Sequence, residues 1–382
     1  MHKEIESLCD YIEFVKEWRL NEERILQENC KLLETNFNGI ISGDMPEWLE
    51  NIKKTDELQY ENALVRCKYY LYVEWMKSRS VLNDYRQGKN RVGAFYFRGQ
   101  YNAKWDVVPS VFREEFAAVE HLLYHEIIVR CPEMFNSLSH LDKLVQMQHY
   151  DCPTRLLDLT TNPLIALFFA CYNFRCDNCD SVEMGKVFMF RIPQEEVLYS
   201  DSDRALILSC LSQLNNDEKR GILESSNECY KEIVETYLES EKHRKSTLNK
   251  DFGAYRKVTG GSKYRDKVIE KLHQEISTEK PSFKREMSPF DLIAPKVVKP
   301  NKNNSRIIKQ DGAFIINGLS YNEEEAGYRI RLIPNEILII RNKETILDEL
   351  DKIGINEANL FPEMDKVADY LKKKYKASDL SD

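Results

Sequence analysis

The residues able to do chemistry crowd into one stretch. Gln148, His149, Tyr150, Asp151, Cys152, Pro153, Thr154, Arg155, Leu156, Leu157, Asp158, Leu159 and Thr160 run through Asn162-Pro163 into the apolar segment Leu164 to Ala170. An amide, an imidazole, a guanidinium and a carboxylate within so few residues can bind an anion, take up a proton and orient an acceptor. About fifty residues upstream, the aromatic run Phe95-Tyr96-Phe97 ends in Arg98-Gly99-Gln100. An arginine held at a strand end can grip a phosphate or carboxylate through paired hydrogen bonds, and a glycine beside it permits close approach. A third cluster begins at Arg306 and runs through Ile307-Ile308-Lys309 to Gln310-Asp311-Gly312, just before the apolar Ala313 to Ile316. A glutamine there offers a donor and an acceptor without charge, which suits a sugar hydroxyl. Three polar clusters at strand ends, far apart in sequence, are expected to form one site on folding.

Each cluster also has a plainer explanation. Arg98 can tie two loops through carbonyls. Arg155 and Asp158 can form a structural ion pair if the chain bends between them. A lone His149 is more often structural than catalytic, and Gln310 can be a turn residue. In an extended chain Arg155, Leu157 and Leu159 fall on one side and Thr154, Leu156, Asp158 and Thr160 on the other. The chain lacks GxxxxGK[ST], GxGxxG after a strand, HExxH and GxSxG, so the P-loop, Rossmann, zinc-protease and serine-hydrolase readings lose their anchors. Cys176-Asp177-Asn178-Cys179 has no second pair or nearby histidines at zinc spacing and reads as a polar loop with incidental thiols.

The elements that must position these groups follow from pattern. Met1 to about Asn90 repeats its apolar residues at three and four, as in Ile5, Leu8, Ile12 and Val15, and reads as a helical N-terminal extension over 1–92. From Gly93 the pattern changes to a buried strand ending at Arg98. Helices are expected over Glu114 to Phe135 and Leu138 to His149, with a break at Asp151-Cys152-Pro153. A further helix begins at Pro163, with Asn162 as its N-cap. Strands are expected at Gly185 to Ile192, Phe290 to Val298, Gly312 to Ile316, Gly327 to Ile333 and Glu336 to Arg341, and closing helices at Lys343 to Ile353 and Pro362 to Tyr375. No helix regularly separates paired strands, which points to an α+β fold with a mixed sheet over 93–382. Asp203 to Ser277 reads as a long helical insertion.

At its chemistry-bearing residues the chain resembles the FRG domain family, named for an aromatic-Arg-Gly motif that is Phe97-Arg98-Gly99 here. The family's second hallmark is matched at Gln148, His149, Tyr150, Pro153 to Asp158, Thr160, Pro163 and Ala166 to Ala170. It is broken at Asp151, where glycine is usual. The third, a Gln-x-Gly-x-Phe strand, is matched at Gln310, Gly312 and Phe314. The resemblance runs from about Phe95 to Lys373. Its three-part layout looks like that of the ADP-ribosyltransferases, whose sheet is mostly antiparallel. That likeness implies NAD as substrate, with Arg98 in the first catalytic role, Thr160 supported by Asp158 in the second, and Gln310 in the third. Gln310 stands where a glutamate is expected. Gly99, Gln100, Gln148, His149, Thr154 and Arg155 would join Arg98 in binding NAD, and Asp158 or His149 would be the general base. The resemblance suggests a bacterial or phage-conflict effector or toxin. The competing expectations are a non-enzymatic nucleotide-binding or sensor module signalling to a protein partner, and a purely loop-locking network.

Composition sets the remaining bounds. With 382 residues, 42% hydrophobic and 31% charged, the chain is long enough for a sizeable core under a charged surface. Twenty Tyr and 17 Phe argue against global disorder. Neither a signal core nor an apolar run of membrane-spanning length is present, so the cytoplasm is the expected location. Ten scattered Cys read as small core hydrophobes in a reducing compartment. The net charge of −8 contrasts with a basic run from Lys242 to Lys267 inside the insertion. Arg244, Lys245, Arg256 and Lys257, with Tyr255 and Tyr264 among them, are candidates to bring RNA or DNA to the cleft as acceptor. The N-terminal helices are a candidate surface for a protein partner.

Overall fold

The computed structural model describes residues 3–45, 47–55, 57–89, 93–114, 116–172, 184–224, 226–227, 230–231, 267–284, 287, 289–320 and 332–375. Its centre is an eight-stranded sheet in the order β1-β8-β4-β2-β3-β7-β6-β5. The strands are β1 (Lys3–Ile5), β2 (Gly93–Gln100), β3 (Leu156–Thr160), β4 (Gly185–Pro193), β5 (Leu198–Tyr199), β6 (Lys296–Lys299), β7 (Gly312–Ile316) and β8 (Glu336–Ile340). Only the outermost pairs, β1 with β8 and β5 with β6, are parallel; the five inner pairings are antiparallel. The fold is α+β, with a mixed, mostly antiparallel sheet.

One junction in this sheet differs from the rest. β2 pairs with β4 from Gly93 to Gln100, and β3 pairs with β7 from Leu156 to Thr160. β2 and β3 meet only where Phe97 lies opposite Thr160. Beyond that pair, toward Arg98 on one strand and Asp158 on the other, the two halves of the sheet part.

Directly opposed residues share a face, so one face can be traced across the sheet. It carries Leu338, Val187, Met189 and Phe97 in one half, and Leu156, Phe314, Ile316 and Val298 in the other. Helices cover each half separately. Over the first half, α1 (Leu8–Leu20), α7 (Pro163–Cys171) and α12 (Lys343–Lys352) build a core with Tyr11, Trp18, Ala166, Phe168 and Leu350. Over the second lie α5 (Phe116–Arg130), α6 (His140–His149) and α8 (Asp203–Cys210). Their cluster is continuous with that of α2 (Glu22–Ser42) and α4 (Glu57–Arg86), where Phe37 stacks on Trp75 at 5.7 Å. Tyr96, Leu157, Leu159, Phe190, Ile192, Val297 and Ile315 form a third cluster on the opposite face.

Several expectations are adjusted. The first residues are not all helical: Lys3–Ile5 is an edge strand on β8, too short to show any period. Phe290 to Ile293 is not strand but part of the short helix α10 (Pro289–Ile293), and only Lys296–Lys299 enters the sheet. A second short helix, α11 (Ser305–Lys309), precedes Gln310. Asp203 to Leu214, read as the start of an insertion, is buried from Ala205 to Leu211 in the main cluster, and α9 (Lys267–Glu279) packs on α8. The expected strand from Gly327 falls largely outside the described residues, as do the Cys176–Cys179 pair and the basic run up to Asp266, including Arg244, Lys245, Tyr255, Arg256, Lys257 and Tyr264. Among the described residues, no helix is long and apolar enough to cross a membrane.

Candidate functional site

The site is built where the sheet parts. Gly99 allows it: an added Cβ would run into the Ala166 carbonyl oxygen and the Ala170 amide, so only glycine lets α7 lie directly on β2. Asn162 caps α7 by accepting from the Leu164 amide at 3.0 Å, and Pro163 occupies the first turn, as its sequence signature predicts. The chain thus turns sharply between β3 and α7. Thr160 fixes that turn, with its hydroxyl accepting from Asn162 N at 3.0 Å and donating to the Gln310 carbonyl at 2.7 Å. Thr160 itself is 4% exposed, so its contribution is to hold Gln310 against β3.

Arg98 reaches across the opening. Its Nη1 donates to the Asp158 carbonyl at 2.9 Å, a group on the stretch of β3 that β2 does not pair, and stands 3.8 Å from the Asp158 carboxylate. Gln148, at the end of α6, donates from Nε2 to that same carboxylate at 3.2 Å, while its Oε1 accepts from the Thr154 hydroxyl. Asp158 remains mostly exposed, with 62% of its side chain open. A carboxylate aimed outward and oriented from two sides by Arg98 and Gln148 can accept a proton from an incoming group.

Next to this carboxylate lies a second set of groups. His149 Nε2 stands 3.5 Å from the Glu363 carboxylate. Burial and the nearby Arg306 cation hold the His149 ring below its usual pKa, against the opposing pull of Glu363 and Asp151. Gln310 donates from Nε2 to the Leu360 carbonyl at 3.1 Å, and Arg306 stacks over the Phe361 ring at 4.7 Å. The last helices, α13 (Glu357–Leu360) and α14 (Met364–Lys374), and the segment joining them therefore border the site.

The structure brings Arg98, Gln148, Thr154 and Asp158 into one hydrogen-bonded chain and ties Thr160 to Gln310. It turns two candidates elsewhere. Gln100 points into the following loop, donating to the Trp105 carbonyl at 2.6 Å. Arg155 is 1% exposed and faces inward. It forms a two-point pair with Glu120 on α5, with Nε to Oε1 at 2.9 Å, and donates through Nη1 to the Asn317 and Gly318 carbonyls. Lys219 completes a buried triad on Glu120 at 2.6 Å. Burial alone would raise the Glu120 pKa, but Arg155 and Lys219 hold it down to about 2. The partner of Arg155 is thus Glu120 and not Asp158, so its guanidinium locks the start of β3 and does not face the opening.

Glu120 and Glu363 are not singled out by the sequence, and Arg306 is marked there only as the first residue of the third cluster. Glu120 had a detectable signal, a carboxylate among the apolar residues of α5. Glu363 carries no comparable mark. Asp151 stands at φ 57°, in the left-handed region, which gives a physical reason for the glycine usual at that position in the family it resembles. Among the described residues, no group of three or more His, Cys, Asp and Glu side chains is arranged to hold a metal ion.

Compared with known proteins, residues 93–178 match the family model of the FRG domain. The matched span runs from β2 through α7 and includes Arg98, Gly99, Gln148, Asp158 and Thr160. Gln310 and the C-terminal helices lie beyond it, so the match is shorter than the likeness read to Lys373. No curated protein and no solved structure matches the chain.

Proposed function

We propose, with the FRG domain at residues 93–178 as the premise, that this protein transfers ADP-ribose from NAD to a macromolecular acceptor. The observation that carries the reading is the Arg98–Asp158–Gln148 chain at the parting of β2 and β3, with Gln310 tied to the same strand through Thr160. The assignment of NAD rests on the ADP-ribosyltransferase-like order of these motifs. Arg98 and Arg306 supply positive charge for a pyrophosphate. The Gln310 carboxamide oxygen can accept from a ribose hydroxyl while its nitrogen is held by Leu360.

In the reaction, the glycosidic bond between the ribose anomeric carbon and the nicotinamide nitrogen breaks, and the nicotinamide leaves as a neutral molecule. An acceptor oxygen or nitrogen forms the new bond to that carbon. The acceptor proton passes to Asp158, the exposed carboxylate of the site. An amide at Gln310 cannot take that proton, and of Asp158 and His149 the exposed Asp158 carboxylate is the base in this reading. Charge building on the sugar is met by fixed dipoles, as in other glycosidic chemistry.

A protein of this kind suits a cytoplasmic effector or toxin, with the run containing Arg244, Lys245, Arg256 and Lys257 as the surface for an RNA or DNA acceptor. The engagement of Gln310 and His149 by the C-terminal segment favours one further reading, in which nucleotide occupancy is passed to a protein partner without chemistry.

The test is incubation with labelled NAD and separated cellular protein, DNA and RNA. Label is expected in one fraction, and lost with Asp158→Asn. Arg98→Ala is expected to weaken NAD binding by at least about tenfold, since a charge-assisted hydrogen bond contributes about 1.5–3 kcal/mol. NAD binding without label transfer supports the sensor reading. Unchanged NAD affinity in Arg98→Ala removes Arg98 from the ligand.

A further inference from the structure

α5 carries more apolar surface than its inner side uses. That inner side buries Glu120 and Tyr124 and packs Ile127 against the main cluster. The outer side is apolar as well. Ala118, Val119, Leu122 and Val129 are all exposed, Leu122 by 53% and Val129 by 75%. At 3.6 residues per turn, Ala118, Leu122 and Val129 fall within about 40° of arc, with Val119 alongside. Met134, in the turn Pro132–Met134 directly after the helix, is exposed too. A surface helix ordinarily sets polar residues toward water, and a run of large apolar side chains in their place marks a contact surface.

The charges beside this stripe say what covers it. Glu126 and Arg130 lie one turn apart on one edge, joined at 2.9 Å, with most of each side chain exposed. One charge of each sign does not match a surface of single sign, such as a phosphate backbone or an anionic membrane. It matches itself. When two α5 helices pack antiparallel across a two-fold axis perpendicular to both, each edge lies beside the same edge of the other copy. With the axis at the level of Ile128, positions 126 and 130 come to the same height. Glu126 of each copy then meets Arg130 of the other, and the pair is made twice. The two Val129 side chains lie near the axis, and Leu122 of each copy falls at the height of Met134 of the other. Antiparallel alignment also sets the helix dipoles head to tail, which is their favourable arrangement.

We propose that the outer face of α5 binds a second copy of this chain, packed antiparallel across a two-fold axis, with Val129 and Leu122 at its apolar centre and reciprocal Glu126–Arg130 pairs along one edge. The inference does not depend on the function proposed for the opening between β2 and β3. α5 spans 15 residues, about 22 Å, so the contact is smaller than the standard ~800 Å² per partner and the association is expected in the micromolar range.

The experiment is sedimentation velocity of the full chain over roughly 1–200 µM, a range set by that contact size. The mass is expected to rise with concentration from 45.0 kDa toward twice that value. Val129→Asp brings two carboxylates together near the axis, and Glu126→Arg and Arg130→Glu each set like charges side by side. Each change is expected to weaken the dimer by at least about tenfold. An equimolar mixture of Glu126→Arg and Arg130→Glu is expected to regain it, because each variant supplies the charge that the other lacks. These positions are exposed, and an unchanged thermal midpoint at low concentration verifies that the variants fold. A chain that stays at 45.0 kDa throughout overturns the proposal. So does a dimer indifferent to Val129→Asp, and so does a mixture that remains monomeric.

Discussion

Replacing Glu120 with Gln removes the one carboxylate that faces both Arg155 and Lys219 in the interior. The magnitude follows from the folded-state pKa. A fall from the ordinary 4.5 to about 2 corresponds to about 3 kcal/mol of stabilisation once the group is fully ionised. Independent reasoning gives a similar figure, since removing one partner of a buried ion pair costs about 3–5 kcal/mol. Because the folded pKa lies below the unfolded one, the stabilisation is complete above about pH 4.5 and is lost as the pH falls toward 2. Urea unfolding followed by tryptophan fluorescence should show Glu120→Gln destabilised by about 3 kcal/mol near neutral pH and by only about 1 kcal/mol near pH 3. The charge-preserving Glu120→Asp should fall between the two proteins at neutral pH. A difference that stays constant across this range, or that is below about 1 kcal/mol throughout, refutes the claim that Arg155 and Lys219 depend on the Glu120 charge.

Two other substitutions probe the backbone around the site. Gly99→Ala should destabilise by at least about 3 kcal/mol, at the upper end of overpacking, because the new methyl meets main-chain atoms of α7 that cannot rotate away; a thermal midpoint within a degree of the unaltered protein rejects this. Asp151→Gly should be neutral or stabilising by up to about 1 kcal/mol, since it relieves a left-handed residue, and a clear loss of stability in a denaturation curve counts against that account.

The elements around the site were readable wherever a local signal existed. Asn162-Pro163 announced the start of α7, and Gly93 to Arg98 and Gly312 to Ile316 read as strands because apolar runs bounded by turn residues fit little else. The order of the motifs also placed Arg98, Asp158 and Gln310 near the ends or flanks of strands. What sequence could not supply was pairing at a distance. Glu120 lies 35 residues from Arg155, and Leu360 lies 50 from Gln310, and in neither case does spacing name the partner. Phe290 to Ile293 was misread for another reason: a short apolar run fits a buried helix as well as a strand. The orientation of Gln100 depends on where the loop through Trp105 passes, which no period encodes.

The single bridge between Phe97 and Thr160 also bears on how the chain folds as it is synthesised. The half-sheet β3-β7-β6-β5 draws on residues 156 to 316, whereas β2-β4-β8-β1 needs residues 3 to 340. The inner half is nested within the span of the outer one and has every strand available first. Lys3–Ile5, although made at the outset, has no partner until β8 emerges more than 330 residues later. Such a long closure is slow, and the edge of β4 that waits for β8 is open to wrong pairings in the interval. The amphipathic α1, following β1 directly, carries the strand to its place by docking Tyr11 and Trp18 on the same core. Because β2 and β3 share one rung only, an error in the outer half need not unravel the inner one. Chains stalled before β8 should therefore retain protease-resistant structure over the inner strands while leaving the first twenty residues open to cleavage.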